Sequence, residues 1–304
     1  MKKKLVAGAV TLLSVVTLAA CANGTNKDIV TMKGDTITVS DFYDEIKTNQ
    51  GAQQVLFQMT INKVFEKEYG SKVSDKEVDK ELAKQKKQLG NQFDAYLAQQ
   101  GLTEETAKKQ IRSNMLLEYA VNQAAKKDIK ESDYKAAFES YTPEVTAQII
   151  KLDSEDKAKE VLEAAKAEGA DFAQIAKDNS TDTTTKDKGG EVKFDSGTAD
   201  IPSQVKEAAF KLDENGISDV ITVSAGQNYS ASYYIVKLNK KTEKGSDWKK
   251  YEKRLKEIIV DGRKQDTNYI RSIIAKAMTN ANIKVKDDAF KSTFNQYLQN
   301  IGVQ

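Results

Sequence analysis

The feature that most constrains the fold is a change of residue pattern at Pro143, one of only two prolines in this 304-residue chain. Before it, apolar residues recur at helical spacing, as at Phe57, Ile61 and Phe65. After it, residues 145–152 form a run rich in β-favouring side chains. The pattern predicts helices up to residue 142 and a strand-containing domain beyond it.

The segment 143–241 is predicted to form a compact domain with the element order βααβαββ. Ser154 and Asp171 are suited to cap its first two helices, and Gly169 ends the first. The predicted strands are residues 145–152, 191–194, 218–223 and 232–238, and the third helix is 203–210. A segment of about 100 residues is long enough to bury its own core.

The flanking segments are predicted to be helical. A small hairpin around residues 33–35 precedes helices that begin at Ser40, Ser74, Thr103 and Ser132. Helices return from Asp247 towards Thr279 and from Asp287 to Leu298. These last helices are too few to form a core alone. The predicted fold class is therefore α+β, with a discontinuous helical domain, residues 29–142 and 242–304, and the domain 143–241 inserted in it.

The N-terminus indicates export. Lys2, Lys3 and Lys4 precede residues 5–18, which carry no charge and are apolar or small. This is the pattern of a secretory signal peptide, which we assign to residues 1–20. The stretch 21–28 is small and polar after its first residue and is interpreted as a short tether.

Two absences exclude many kinds of chemistry. The chain has no histidine, so imidazole bases, Ser-His and Cys-His catalysis and His-ligated zinc are excluded. Cys21 is its only cysteine, which excludes a disulfide within the chain. Basic and acidic residues number 47 and 45, so no excess charge favours nucleic acid as a partner. No cofactor and no metal are expected.

The four residues Leu18, Ala19, Ala20 and Cys21 resemble the lipobox of bacterial lipoproteins. That resemblance implies cleavage before Cys21 and attachment of diacylglycerol to its thiol. The expected location is the outer face of the cell membrane, with membrane lipid as a partner through the acylated cysteine.

The middle segment resembles a parvulin-type peptidyl-prolyl isomerase domain. The motifs that carry the resemblance are residues 145–150, 169–176, 180–182, 189–191, 201–212, 217–220 and 233–238. With the lipobox and the helical flanks, the whole chain is similar to the PrsA-type foldase lipoproteins of Gram-positive bacteria, the streptococcal and lactococcal branch in particular. The resemblance implies a factor that folds secreted proteins after translocation.

The resemblance also places site residues. Gln148 and Tyr234 are assigned to the positions of the family's two histidines, and Asp182 to its acid. Ile201, Val205 and Phe210 are assigned to the substrate pocket. With both histidines replaced, we expect prolyl isomerase activity to be weak or absent. A plain turn role for Asp182 and a core role for Phe210 stay open.

The expected function is a membrane-anchored chaperone that binds unfolded or partly folded secreted proteins. An active isomerase of the same family is one alternative, and a solute-binding lipoprotein with two strand-rich lobes is another. A homodimer stays open. The candidate client-binding residues in the helical part, each also suited to a core, are Phe57, Met59, Phe65, Phe93, Tyr96 and Met115.

Overall fold

The fold was obtained as a computed structural model that describes residues 27–224 and 231–298. The predicted signal peptide and Cys21 lie outside the described residues, as do residues 225–230 between the last two predicted strands. Among the residues that the structure describes, no helix is long and apolar enough to cross a membrane.

Helices dominate the flanks, and the strands are concentrated in the middle segment. The N-terminal flank contains β1 Asp28–Met32, β2 Asp35–Thr38, α1 Val39–Ile46, α2 Gln50–Tyr69, α3 Asp75–Leu89, α4 Phe93–Gln99, α5 Glu104–Lys127 and α6 Glu131–Ser140. The middle segment contains β3 Val145–Leu152, α7 Glu155–Lys166, α8 Phe172–Asn179, β4 Glu191–Phe194, α9 Ser203–Lys211, β5 Ile221–Val223 and β6 Ser232–Lys240. The C-terminal flank contains α10 Glu252–Gln265, α11 Thr267–Asn280 and α12 Lys291–Leu298. The predicted α+β class and the order βααβαββ are confirmed.

Three helix boundaries differ from the prediction. Thr38, and not Ser40, caps α1, since its hydroxyl accepts from the backbone N–H of Asp41. The helix α6 begins at Glu131, one residue before the predicted Ser132. The long helix predicted from Asp247 is broken at Asp266, whose extended backbone separates α10 from α11.

The middle segment forms a four-stranded antiparallel sheet in the order β4-β3-β6-β5. Its two faces are covered by different helices. One cluster of buried side chains includes Val145, Ala147 and Ile149 of β3 and two residues of α9. The other includes Ile150 and Leu152 of β3 and residues of α7 and α8. We call these the α9 face and the α7/α8 face of the sheet.

The chain divides into two compact units. Of the described residues, 27–70 and 274–298 form one unit, and those between Ser71 and Ile273 form the other. The second unit contains the sheet with α3 to α10. The domain bounds predicted at residues 142/143 and 241/242 thus lie inside this unit.

Within the second unit, α10 packs on α5 and α6, so segments from both ends of the chain form the helical part. An ion pair joins α10 to the inserted segment. The Arg254 guanidinium donates from Nε and Nη2 to the two carboxylate oxygens of Asp195, at 2.6 and 2.8 Å. The carboxylate also accepts from the hydroxyls of Tyr141 and Thr198, at 3.1 and 3.0 Å.

Asp195 lies just after β4 and is almost fully buried, with 7% of its side chain exposed. Burial alone would raise the pKa of Asp195, but the hydrogen bonds from Arg254 and Thr198 outweigh it, and the pKa lies below its ordinary value. The carboxylate is therefore charged at neutral pH, and Arg254 compensates that charge.

An aromatic stack lies where the chain passes between the helices and the inserted segment. The rings of Tyr134 and Trp248 stack with their centroids 5.0 Å apart, and those of Phe138 and Tyr251 with their centroids 5.7 Å apart. The Lys244 ammonium donates to the carbonyl of Phe138 at 2.6 Å and lies 4.5 Å from its ring. The two ends of the inserted segment are therefore held side by side.

Candidate functional site

The predicted site lies on the sheet, and the two faces of the sheet separate its members. Tyr234 of β6 packs against the core cluster of the α9 face, with Val236 and Leu238 of the same strand. Burial raises the pKa of the Tyr234 phenol, and the negative charges of Asp182 and Asp153 raise it further. Tyr234 is therefore a neutral hydroxyl at physiological pH.

Gln148 lies on the opposite face. Side chains alternate along a strand, and Ile150 and Leu152 belong to the α7/α8 cluster. The Gln148 amide donates from Nε2 to the carbonyl of Gly189 at 2.9 Å. Gln148 and Tyr234 therefore lie on opposite faces of the sheet, and the structure does not bring these two predicted site residues together.

Tyr234 pairs directly with Lys151 of β3, and the β3 residue beside Gln148 that shares the α9 face is Ile149. It is 4% exposed and carries no hydrogen-bonding side-chain group. The sequence did hold a signal for this register, since Val145, Ala147 and Ile149 form the alternating apolar series of the strand. An isoleucine at this position can neither donate nor accept a hydrogen bond, whereas a glutamine side chain can do both.

Asp182 lies in the loop after α8, and its carboxylate is engaged within that loop. Its oxygens accept from the Thr184 backbone N–H at 3.0 Å and from the Thr185 hydroxyl at 2.7 Å. Burial alone would raise the pKa of Asp182, but these hydrogen bonds and the charge of Lys151 bring it below its ordinary value. The carboxylate is thus an anion held by its own turn, and it is close enough to influence Tyr234.

The three predicted pocket residues differ in their access to a ligand. Val205 of α9 is fully buried, whereas Ile201 and Phe210 are half-buried at the edge of the same cluster. The Phe210 ring packs 5.8 Å from that of Phe194. Val205 is therefore a core residue, and Ile201 and Phe210 retain exposed surface for a substrate.

The Gly189–Gly190 turn fixes the start of β4 against β3. Both glycines have positive φ, at +67° and +78°. A Cβ on Gly190 would lie 2.5 Å from the carbonyl oxygen of Ile149, and the Gly190 carbonyl accepts from the Ile149 N–H at 2.8 Å. Only glycine fits this close approach without strain.

The candidate client-binding residues of the helical part separate into two groups. Phe57, Phe65 and Phe93 are buried and belong to the core. Met59 and Tyr96 are exposed, at 51% and 44%, and Met115 is half-buried. The exposed members are the ones available to another molecule.

The four-stranded antiparallel sheet with the element order βααβαββ agrees with the parvulin-type domain expected from the sequence. In agreement, residues 141–240 match the family model described as Rotamase, the PPIC-type PPIASE domain.

Relatives extend the match to the whole chain. It is 62% identical to the foldase protein PrsA of Streptococcus sanguinis over 99% of this chain and 90% of that one. The crystal structure of PrsA from Streptococcus pneumoniae superimposes with a TM-score of 0.80 at 55% identity, over 89% of this chain and 99% of that one. PrsA from Lactococcus lactis gives a TM-score of 0.66 at 39% identity, over 90% and 99%. The chain belongs to the PrsA foldase family.

Proposed function

We propose that this foldase works mainly as a chaperone for secreted proteins, that its parvulin-type domain has a degenerate isomerase site, and that Cys21 anchors it to the outer face of the membrane. The single observation that carries the degenerate site is the pair Ile149 and Tyr234 on the α9 face. One is a buried aliphatic side chain and the other is a neutral phenol with a raised pKa.

Prolyl isomerisation needs no covalent step, so the effect of lacking the two histidines on the rate has to be considered. The barrier is about 18–20 kcal/mol, and an enzyme lowers it by binding the twisted amide better than the planar one. Tyr234 can donate one hydrogen bond, but Ile149 can donate none. Asp182 is already engaged by Thr184 and Thr185. The remaining groups therefore favour binding of a proline segment over its rotation.

A proline-limited refolding assay with the mature chain tests this proposal. We expect no rate enhancement from the wild-type protein, while it still suppresses aggregation of an unfolded client in the same buffer. Acceleration by the wild-type chain that is lost in Asp182→Asn would overturn the proposal and favour the active isomerase.

Because the side chains of Gln148 and Ile149 lie on different faces of the sheet, a gain-of-function experiment can be paired with a matched control. Ile149→His combined with Tyr234→His places two imidazoles on the α9 face and is expected to raise the isomerisation rate. Gln148→His combined with Tyr234→His places them on opposite faces and is expected to raise it less. Equal rates from the two variants, with both folded by circular dichroism, would contradict the face argument.

The alternative of a solute-binding lipoprotein requires two strand-rich lobes. Between residues 27 and 142, the structure contains one two-stranded hairpin and is otherwise helical. Membership of the PrsA family likewise argues against this alternative.

The anchor and the partners are tested separately. Intact-mass analysis of the protein from cell membranes is expected to show acyl groups on a chain that begins at Cys21, and Cys21→Ser is expected to release the protein into the medium. Unmodified wild-type protein would refute the anchor.

A homodimer remains a proposal, tested by sedimentation of the mature chain over a range of concentrations.

A further inference from the structure

The hairpin of β1 and β2 carries an unusual amount of exposed apolar surface. Every residue of β1 is exposed. Ile29, Val30 and Met32 are 50%, 47% and 51% exposed, and Ile37 of β2 is 40% exposed. Exposed apolar groups scattered singly are ordinary, but a group of four on one hairpin indicates a contact surface.

The fold leaves this hairpin without support from a larger sheet. Among the described strands, β1 and β2 pair with each other in a two-stranded sheet. A two-stranded hairpin is marginally stable in water by itself. A backbone hydrogen bond from Val39 to Lys27, at 2.9 Å, ties its base to α1. Since all five residues of β1 are exposed, neither of its faces is covered.

The position of the hairpin in the chain indicates what covers it. Asp28 is seven residues after Cys21. An extended chain spans at most about 3.6 Å per residue, so the base of the hairpin lies within about 25 Å of the Cys21 backbone. If Cys21 is acylated, the bilayer surface is always within reach of the hairpin.

We propose that the hairpin inserts its apolar side chains into the interfacial region of the bilayer, as a second and non-covalent membrane contact. The inference rests on the proposed lipidation of Cys21. A flat protein partner would cover one face of a ribbon, whereas the bilayer interface surrounds both. Lys27 and Lys33 are balanced in charge by Asp28 and Asp35, so the contact is apolar and insensitive to salt.

Partitioning into vesicles with a single added alkyl chain tests the inference. The chain from Cys21 to Gln304 has one thiol, to which a myristoyl-length alkyl chain can be attached chemically. One such chain gives only reversible binding, of the order of 10⁴ M⁻¹, so an added contact is measurable. In phosphatidylcholine–phosphatidylglycerol vesicles, Val30→Ser with Met32→Ser is expected to lower the partition coefficient about tenfold or more.

The matched control is Val55→Ser with Met59→Ser on α2, which removes the same two side-chain types at 60% and 51% exposure. It is expected to leave the partition coefficient unchanged. Wild-type binding by the hairpin variant, or equal losses in both variants, would overturn the inference. So would a hairpin variant that keeps vesicle binding and loses self-association or client protection. Because the alkyl chain is attached chemically, failure of lipidation in cells is detected separately, by intact mass.

Discussion

The ion pair between Arg254 and Asp195 gives the sharpest stability prediction. We consider Arg254→Leu, which keeps the apolar stem of the side chain and removes its charge. Removal of one partner of a buried pair costs about 3–5 kcal/mol. Arg254 is 34% exposed, and Asp195 keeps the hydroxyl donors of Tyr141 and Thr198. Partial solvation and these donors reduce the expected loss to about 2–3 kcal/mol at neutral pH.

Urea denaturation followed by tryptophan fluorescence measures the loss. Trp248 is the only tryptophan, and its ring stacks on Tyr134 just before α10 begins. With a slope of about 2 kcal/mol per molar urea, the midpoint is expected to fall by about 1–1.5 M. Lys166→Met is the control, because it removes an exposed pair with Asp219 and is expected to cost less than about 1 kcal/mol.

The stability lost in Arg254→Leu is expected to depend on pH, and the direction of that dependence follows from the pKa of Asp195. The pKa of Asp195 is lowered in the folded wild-type protein, so its contribution is present above the unfolded pKa and is lost as pH falls through the folded pKa. Without Arg254, burial raises the pKa of Asp195, and the variant gains stability relative to wild type as pH falls towards 4. A loss under about 0.5 kcal/mol at pH 7, or one that grows on acidification, would refute this reasoning.

Three further substitutions have definite expected outcomes. Gly190→Ala places a Cβ against the Ile149 carbonyl at positive φ and is expected to cost about 1–3 kcal/mol, measured by thermal unfolding; an unchanged melting temperature would contradict the close approach. Ser74→Ala removes the hydroxyl that, with Glu77, forms the capping box of α3 and is expected to cost about 1 kcal/mol in urea denaturation, while no change would show that the cap is dispensable. Val205→Ala leaves a cavity under the sheet and is expected to cost about 2 kcal/mol by the same method, whereas a neutral result would contradict its packing role in the core.

Local signals in the sequence predicted most of the elements. The run 145–152 is a strand with the predicted bounds, and Ser154 and Asp171 cap the helices expected after them. These signals depend on neighbouring residues, so a single sequence contains them. A competing cap explains the error at Thr38, whose hydroxyl accepts from the Asp41 N–H. At the start of α6, the Asp133 carboxylate accepts from the backbone N–H of Lys130.

The site was harder to predict because it depends on strand register. A shift of one residue moves a side chain to the other face of the sheet. The alternation of Val145, Ala147 and Ile149 indicated that these side chains share a face, but the neighbours on that face were known only once β3 was placed between β4 and β6. The division of the chain after Gly70 also depends on long-range packing, which no local pattern encodes.

The proximity of the two ends of the inserted segment bears on the order of folding. The Lys244 ammonium donates to the carbonyls of Phe138 and Glu139, which precede the insertion. Joining these ends across a flexible loop of about 100 residues would cost roughly 4 kcal/mol in chain entropy. If residues 145–240 fold first, their own structure closes that loop, and α10 then reaches α5 and α6 as a nearby segment. The insertion would thus act as an internal template for the protein that surrounds it.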